Sequence, residues 1–304
     1  MDITNTISVR KSSFFKRANV KKNLWGYFFL APEIIIFSIF LIYPILRGLL
    51  LSFMEFKVGG SKWIGLQNFV SVIKDDLVLT SFLNTTIYTI GIVPGGIIIA
   101  LILSALIFPL SARAQTFFKA AYYLPGVVSG VVVALTWSWI FDPESGLLNY
   151  LLSFIGLGPY LWLSHPDTAM LSLILMALLG GQGGSIVIIL ANMSTIPISL
   201  YESAKMDGGN EWHLFRHITI PLLKPTILYL LVMGIIGSYQ VFESIYVLTK
   251  GGPMNSTTTI AYLIYSEGLG SFEFGRASAI ATMLFVVILA LSLIQFRAFR
   301  EDKI

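Results

Sequence analysis

The chain has 304 residues, of which 56% are hydrophobic and only 12% are charged. Soluble domains carry roughly 25% charged residues, so this composition excludes an ordinary soluble fold and indicates an integral membrane protein. The sequence contains no cysteine, which excludes disulfides, thiol catalysis and cysteine-ligated metal. The net charge of +4 comes from scattered basic residues rather than from a basic folded domain, so it does not indicate nucleic-acid binding.

Apolar stretches long enough to cross a bilayer recur along the chain. The hydrocarbon core is ~30 Å thick and needs about 20 helical residues. Backbone polar groups in lipid must be satisfied internally, and the alternating pattern of a membrane β-barrel is absent. We therefore predict an all-α integral membrane fold with six transmembrane helices. The predicted spans cover residues 25–53, 81–107, 119–141, 169–192, 226–248 and 276–296.

The distribution of Lys and Arg predicts the orientation in the membrane. Basic residues precede the first span, follow the second and the sixth, and lie between the fourth and fifth. With six spans all four places fall on one side, while acidic residues dominate the other. We therefore expect both termini to be cytoplasmic, with residues 1–24 as a basic segment and residues 301–304 as a tail. The first apolar run exceeds the roughly 7 to 15 residues of a signal-peptide core, so it is expected to be a retained span.

The segment between the fourth and fifth predicted spans, residues 201–225, is polar yet has helical spacing. Ser199 with Glu202 three residues later predicts a capping box, so a short helix is expected to begin near residue 199. Asp207-Gly208-Gly209 predicts a turn, and Asn210 predicts the cap of a second helix. The segment is therefore predicted to be a cytoplasmic helix-turn-helix hairpin. The pattern alone also allows an amphipathic hairpin lying among the lipid headgroups.

Residues 196–221 resemble the signature loop of permease subunits of binding-protein-dependent ABC importers. That loop has the pattern Glu-Ala-Ala, three residues, Gly, nine residues, Ile, one residue, Leu-Pro. The chain departs from it mildly, with Ser203 and Ile220 at a small and an aliphatic position. The resemblance implies a coupling helix, which docks into a cleft of a cytoplasmic ATPase and transmits its closure to the membrane helices. The loop residues implied are Glu202, Ser203, Ala204, Asp207, Gly208, Phe215, Ile218 and Pro221.

Other stretches resemble the carbohydrate-uptake branch of this family, the maltose and glycerol-phosphate type. They include WIGLQNFVSVIKDD, YYLPGVVSGVVVALTWSWIFDPESGLLN and LTKGGPMNSTTTIAYLIY. The resemblance implies one permease domain over residues 25–300 in a bacterial cytoplasmic membrane, importing a sugar or oligosaccharide without being an enzyme. The implied partners are a second homologous permease, two ATPase subunits and an extracytoplasmic solute-binding protein. ATP and Mg would bind to the ATPases, and no cofactor to this chain.

Polar residues inside the fourth and fifth predicted spans indicate a substrate pathway, because polar groups facing lipid are costly. The fifth span places its polar and aromatic residues at helical spacings of three, four and seven, and a sugar offers both apolar faces and hydroxyls to such groups. The resemblance places sugar contacts on the same two spans. The alternative is hydrogen bonding between helices by the two glutamines. The predicted pathway residues are Gln182, Ser185, Tyr239, Gln240, Glu243 and Tyr246.

Other interpretations remain open at this point. An ion-coupled secondary carrier acting alone could use Glu243 as its proton site, and a membrane sensor would move no solute. His213 and His217 have a spacing that can bind metal, but no third ligand is evident, so surface contact with a partner is favoured and no metal site is expected. Glycine pairs such as Gly91 and Gly95 are interpreted as helix-packing positions.

Overall fold

The computed structural model describes residues 27–57 and 60–300. The predicted cytoplasmic segments, residues 1–24 and 301–304, lie outside the described residues. Within the described ranges the side chains of residues 57, 299 and 300 are not described. The chain divides into two compact units, Met1–Leu51 and Ser52–Ile304.

The first unit contains one described helix, α1, which spans Tyr27–Leu51. Its turns widen over Ser38–Ile42. None of the 18 residues in its most apolar stretch is buried within the chain. Such a helix is hydrophobic on all sides, as expected of a membrane span whose surroundings are lipid or another subunit.

The second unit is helical apart from one β-hairpin. Strand β1, Met54–Lys57, pairs antiparallel with β2, Gly60–Trp63, with Met54 opposite Trp63. Wider helical turns occur at Phe215–Thr219 and Ser266–Gly270. One further helical turn spans Ile220–Leu222. The longer helices are α2 Gln67–Ile73, α3 Asp76–Ile107, α4 Ala112–Val127, α5 Gly130–Ile140, α6 Leu147–Ser153, α7 Pro166–Gly180, α8 Gly183–Met193, α9 Ile198–Met206, α10 Glu211–Leu214, α11 Lys224–Tyr239, α12 Glu243–Leu248, α13 Ile260–Tyr265 and α14 Phe274–Arg300.

Four helical stretches of the described chain are long and apolar enough to cross a membrane, and the number reaches six if two bent helix pairs each count as one span. The predicted all-α membrane fold is thus confirmed. The third predicted span, however, is the pair α4 and α5 with a bend of 96°, and the fourth is the pair α7 and α8 with a bend of 43°. A bare count of apolar residues does not reveal such bends. The four stretches that are long enough without pairing are Tyr27–Leu51, Asp76–Ile107, Lys224–Leu248 and Phe274–Ala298, of which the third contains the short break between α11 and α12.

Proline and glycine account for the bends. Pro125 lies in the last turn of α4, where it removes a backbone donor and crowds the preceding turn. The chain then becomes extended at Val128 before α5 begins. At the second bend Gly181 ends α7, and a Cβ added there would lie 2.7 Å from the carbonyl oxygen of Ala177. Only glycine fits this turn without displacing the backbone.

The helix α3 forms the centre of the second unit and packs against α7, α8 and α11. Ile186, Ile189 and Leu190 of α8 are fully buried beside Ala100 of α3. Gly91 and Gly95 of α3 approach side chains of α7 closely, as the packing interpretation predicts, since a Cβ at Gly91 would lie 2.8 Å from Ile174. The remaining helix surfaces expose many large apolar side chains, which in a membrane protein face lipid or partner subunits.

The connection between α12 and α13 is an ordered loop whose last three residues are buried. Thr257, Thr258 and Thr259 are each at most 3% exposed. The Thr259 hydroxyl donates to the Val241 carbonyl at 3.0 Å. Asn84 of α3 donates to the carbonyl oxygen of Thr258 at 3.1 Å. The loop therefore satisfies backbone groups that the interruption between α11 and α12 leaves without helical partners.

Charged side chains join the start of α3 to the start of α14. Arg276 contacts the Asp75 carboxylate directly, and its Nε lies 3.3 Å from a carboxylate oxygen of Glu267. Asp75 also caps α3 by accepting from the Leu77 amide at 2.7 Å. Burial raises the pKa of Asp75, but the Leu77 amide and the Arg276 guanidinium outweigh it, so the pKa is lowered below its usual value.

Candidate coupling hairpin and solute pathway

The first arm of the hairpin is α9, which begins at Ile198 directly after Pro197. No side chain caps its start, so the predicted capping box of Ser199 and Glu202 is wrong. Pro197 supplies the non-helical entry residue, and Ser199 already lies within the first turn, where its side chain cannot act as the cap.

A tight turn closes the hairpin at Gly208, whose φ is +85°. The amide of Gly208 donates to the Lys205 carbonyl at 3.0 Å, and that of Gly209 donates to the Ala204 carbonyl at 2.9 Å. These bonds satisfy the last carbonyls of α9, and the left-handed conformation between them favours glycine. The predicted turn is therefore present in the structure.

The second arm begins as predicted at Asn210, whose side-chain oxygen accepts from the His213 amide at 2.8 Å. Lys205 and Glu211 form an ion pair of 2.7 Å across the turn. The hydroxyls of Tyr201 and Thr219 lie 2.9 Å apart and tie the two arms together. Several contacts besides the turn thus fix the shape of the hairpin.

The second arm is a regular helix only over Glu211–Leu214, because its turns widen from Phe215 onward. Leu214 and Thr219 are consequently buried, while Trp212 is 64% exposed. The predicted second helix is therefore regular only in its first turn. Phe215, Ile218 and Pro221 are half-buried.

The tip of the hairpin presents an exposed surface of mixed chemistry. Glu202, Ser203, Asp207 and Gly208 are exposed, and Ala204 is half-buried. Two apolar side chains stand out from this polar tip: Met206 is 88% exposed and Trp212 is 64% exposed. An apolar anchor within a polar rim is typical of a protein-binding surface.

The rings of His213 and His217 stack with centroids 4.1 Å apart. His217 Nδ1 lies 3.1 Å from the His213 carbonyl oxygen, within hydrogen-bonding distance. Among the described residues no group of three or more His, Asp or Glu side chains is placed to hold a metal ion.

Three helix interruptions surround one open cavity of about 440 Å³. The first separates α4 from α5, the second separates α7 from α8, and the third separates α11 from α12. Interrupted membrane helices expose backbone polar groups, and such groups are tolerated where they line a polar cavity. The lining residues are Pro125, Gly126, Val128, Gly130, Val133, Met176, Ala177, Gly180, Gly181, Val241, Phe242, Glu243 and Ser244.

Glu243 lies in this cavity with its side chain exposed. Its carboxylate is in contact with Gly130, the first residue of α5, and a Cβ added at Gly130 would overlap a carboxylate oxygen. The first turn of a helix carries free backbone N–H groups and partial positive charge. The Glu243 carboxylate therefore lies beside the start of α5.

The other pathway residues predicted on the fifth span do not share one helical face. Tyr239 is only 5% exposed and its hydroxyl lies 3.0 Å from that of Thr86, whereas Gln240 and Tyr246 are exposed. The predicted common face is wrong because the helix is interrupted between Tyr239 and Glu243. Of these residues, only Glu243 lines the cavity.

The predicted residues on the fourth span lie beside the cavity rather than in its wall. Gln182 is half-buried, and its Nε2 donates to the Ala177 carbonyl at 3.3 Å. Its amide packs against Gly96 of α3, where an added Cβ would lie 2.6 Å from Oε1. Ser185 is half-buried one turn further along α8. Gln182 thus packs against α3 but bonds within its own bent helix pair, which differs from the interhelical hydrogen bond that was the alternative to substrate contact.

A cluster of four aromatic side chains lies beside the cavity. The ring centroid of Phe242 lies 5.3 Å from that of Tyr246 and 4.9 Å from that of Tyr265. Tyr262 stacks at 6.5 Å on the same phenylalanine. Sequence patterns identified Tyr246 but missed the other three, because α13 meets α12 only through the folded loop between them.

Sequence reasoning also missed Gly130, Phe242 and Ser244. Signals for the first interruption are present in the sequence, since Pro125-Gly126 and Ser129-Gly130 are typical of a chain break even within an apolar run. Gly237 is the nearest glycine to the interruption after Tyr239, and it lies within α11 rather than at the break itself. Its position depends on tertiary contacts such as the Thr259 bond to Val241.

The fold and the cavity together define a polytopic membrane protein with interrupted helices around a cavity that contains one carboxylate, which is the architecture of solute transporters. Comparison with known proteins identifies the family. Residues 92–301 match the family model described as "Binding-protein-dependent transport system inner membrane component". The chain belongs to this family. It is a transport subunit, the permease of an importer, and not itself an enzyme.

Relatives extend the match over nearly the whole chain. The chain is 32% identical over 296 residues to the arabinooligosaccharides transport system permease protein AraP of Bacillus subtilis (strain 168), covering 95% of this chain and 93% of AraP. The chain also resembles a chain in the crystal structure of a bacterial ABC transporter involved in the import of the acidic polysaccharide alginate. The TM-score is 0.84 with 28% identity, and the match covers 96% of this chain and 100% of that chain. A second structure is that of a bacterial alginate ABC transporter in complex with alginate pentasaccharide-bound periplasmic protein. Its matching chain has a TM-score of 0.81 and 29% identity, and the match covers 91% of this chain and 94% of that chain.

Proposed function

We propose that this chain is one of two permease subunits of an ATP-driven importer for a sugar or oligosaccharide. A second homologous permease would complete the pathway, two ATPase subunits would bind on the cytoplasmic side, and a solute-binding protein would deliver the sugar from outside. ATP and Mg would bind to the ATPases. The ion-coupled carrier is disfavoured, because the family is one of binding-protein-dependent transport.

The observation that carries the proposal is the combination of the fixed hairpin with the cavity. A transporter without its own energy source needs a rigid surface through which a motor can act, and the hairpin is held by its turn, by the ion pair of Lys205 with Glu211 and by the Tyr201 contact to Thr219. The names of similar proteins, which include permeases for arabinooligosaccharides and alginate, support a carbohydrate as the solute.

The roles of the hairpin residues follow from their exposure. Glu202 and Asp207 offer exposed carboxylates for pairing with an ATPase cleft, and Gly208 permits the bend. Met206 and Trp212 add apolar area that binding would remove from water. Phe215 is half-buried, and its residual surface would pack against the partner.

The experiment is co-isolation followed by transport. The chain would be expressed with its second permease, its ATPase and its binding protein, purified through a tag on the chain, and reconstituted into vesicles. We expect the ATPase to co-purify, and sugar uptake to require both ATP and the binding protein. Uptake that proceeds without ATP, or a chain that never co-purifies with an ATPase, would contradict the proposal.

A matched pair of variants tests the hairpin directly. Met206→Ala and Trp212→Ala are expected to reduce the ATPase recovered with the chain by about tenfold, a typical loss for an interface anchor. Met254→Ala is the control, because Met254 is 89% exposed and lies in the loop between α12 and α13. Equal ATPase recovery from all three variants would show that the hairpin is not part of the interface with the ATPase.

A further inference from the structure

The cavity at the three helix interruptions carries a single sign of charge. Of the residues that line it, Glu243 is the only one with an ionisable side chain, and no Lys, Arg or His is among the described lining residues. The other side chains are apolar or small, apart from the Ser244 hydroxyl. We propose that Glu243 selects against anionic solutes, so that this pathway conducts neutral or amine-bearing sugars and rejects uronates and phosphate esters.

The position of Glu243 strengthens this selection. Its carboxylate contacts the first residue of α5, where free N–H groups would otherwise favour an anion. A negative group of a solute would thus find that helix end already occupied by a carboxylate of the protein. Its own charge would also face the charge of Glu243 within a cavity of about 440 Å³. At an effective protein dielectric constant of about 20, repulsion over such distances weakens binding by roughly tenfold or more.

The aromatic group beside the cavity supplies the complementary attraction. Phe242 stacks with Tyr246, and Tyr262 and Tyr265 complete a cluster with centroid separations of 4.9–6.5 Å. Aromatic faces pack against the apolar C–H faces of a sugar, and they also attract an ammonium group. The cluster and Glu243 together favour neutral and amine-bearing sugars over acidic ones. This inference rests on the proposed function, since it names the class of sugar for the same pathway.

The test uses the purified complex of both permeases and the ATPases without the binding protein, so that the permease alone meets the sugar. Three tetrasaccharide probes differ in charge: neutral maltotetraose, tetragalacturonate, and the tetramer of glucosamine. Binding is measured by calorimetry at pH 7. We expect tetragalacturonate to bind at least about tenfold more weakly than maltotetraose, and the glucosamine tetramer to bind at least as tightly as maltotetraose.

Two test variants, each with its own control variant, separate the effect of charge from the effect of shape. Glu243→Gln keeps the size of the side chain and removes its charge, so the gap between neutral and acidic probes should fall below about threefold, whereas Glu144→Gln, at another exposed carboxylate, should leave the gap unchanged. Gly130→Ala should displace the Glu243 carboxylate and also narrow the gap. Its control is Gly237→Ala, where an added Cβ meets no atom within 4 Å.

The outcomes are distinct. Tetragalacturonate binding within about threefold of maltotetraose in the unaltered complex, or a gap that survives Glu243→Gln, would overturn the charge selection while leaving the importer intact. If no probe of any charge binds and vesicles show no ATP-dependent sugar uptake, the proposed function fails, and this inference fails with it.

Discussion

Gly208 is the residue on which the conformation of the hairpin tip depends. Its φ of +85° is strained for alanine and inaccessible to proline. Proline would also remove the amide that donates to Lys205. No atom lies within 4 Å of an added Cβ, so a substitution here acts through the backbone alone and not through a clash.

We therefore expect a graded series at this position. Gly208→Pro should uncouple ATP hydrolysis from sugar uptake, and Gly208→Ala should lower coupling partially, since alanine pays about 1 to 2 kcal/mol in the left-handed region. Gly208→Asn should retain most coupling, because asparagine tolerates this conformation. The measurement is sugar transported per ATP hydrolysed in reconstituted vesicles. Near-normal coupling in the proline variant would exclude a fixed turn as part of the mechanism.

Asp75 provides a prediction about pH. Its pKa in the folded chain lies below the ordinary value of an aspartate, so the folded state binds fewer protons than the unfolded state as the pH falls through this range. The stabilisation is therefore complete at neutral pH and is lost below about pH 4, as the carboxylate is protonated. Asp75→Asn should weaken thermal stability at pH 7 and flatten its dependence on pH between about 5 and 3. A variant with the same acid dependence as the unaltered chain would contradict this role.

Thr259 tests how the third helix interruption is held. Thr259→Val keeps the shape of the side chain and removes the bond to the Val241 carbonyl, so it should cost about 1 kcal/mol of stability. Thr136→Val is the control, because its hydroxyl bonds only to Val132 of its own helix and is exposed. Thermal unfolding in detergent measures both. Equal effects in the two variants would show that the bond to Val241 is not special.

At the scale of elements, the connection between α5 and α7 is organised by one side chain. Asn149 is 7% exposed, and its Oδ1 accepts from the Tyr160 amide at 3.1 Å and from Trp162 Nε1 at 2.9 Å. Its Nδ2 donates to the carbonyls of Pro143 and Tyr160. Both ends of its amide are thus used to hold a long loop in one conformation.

Asn149→Ala should therefore destabilise the protein by about 2 kcal/mol or more, because buried donors lose their acceptor. The fluorescence of Trp162 should change as its ring is released. Asn192→Ala is the matched control, since that exposed amide bonds only to Ile188 of its own helix. A variant at Asn149 as stable as the one at Asn192 would show that the loop does not depend on this side chain.

The apolar pattern predicted where helices occur but not where they break. The run over residues 81–107 corresponds to the long helix α3, which continues through Pro94. The run over residues 119–141 is divided, although Pro125 and Gly130 marked the division in advance. The interruption after Tyr239 had only a weak local signal in Gly237, and a loop residue, Thr259, bonds to the carbonyl that the break leaves free. Hydrophobicity reports where apolar residues occur, whereas a break also depends on proline, glycine and tertiary contacts.

The two candidate sites also differ in how far the sequence predicted them. Most of the hairpin could be predicted, because its turn residues and Asn210 act locally. The capping box failed because Pro197 supplied a competing helix start. In the pathway, Glu243 was identified but its contact with Gly130 was not, since these residues are distant in the chain. Polar residues within apolar runs thus predict that a cavity exists, but they do not predict which residues meet in it.

At the scale of the whole molecule, the absence of cysteine from the sequence makes the orientation testable without background labelling. Met206→Cys and Met254→Cys introduce thiols at positions that are 88% and 89% exposed. With a membrane-impermeant thiol reagent on intact cells, the thiol at position 254 should react and that at position 206 should react only after permeabilisation. The reverse pattern, or labelling of both in intact cells, would contradict a cytoplasmic hairpin.

The three interrupted helices have a consequence for how such a pathway could change over evolution. Each break leaves peptide groups without helical partners, and every sequence that keeps the breaks will supply these groups regardless of its side chains. Cargo preference then rests on a handful of positions such as Glu243, while the hydrogen-bonding frame is inherited unchanged. A related protein could come to transport a different sugar through very few substitutions and still keep the same fold.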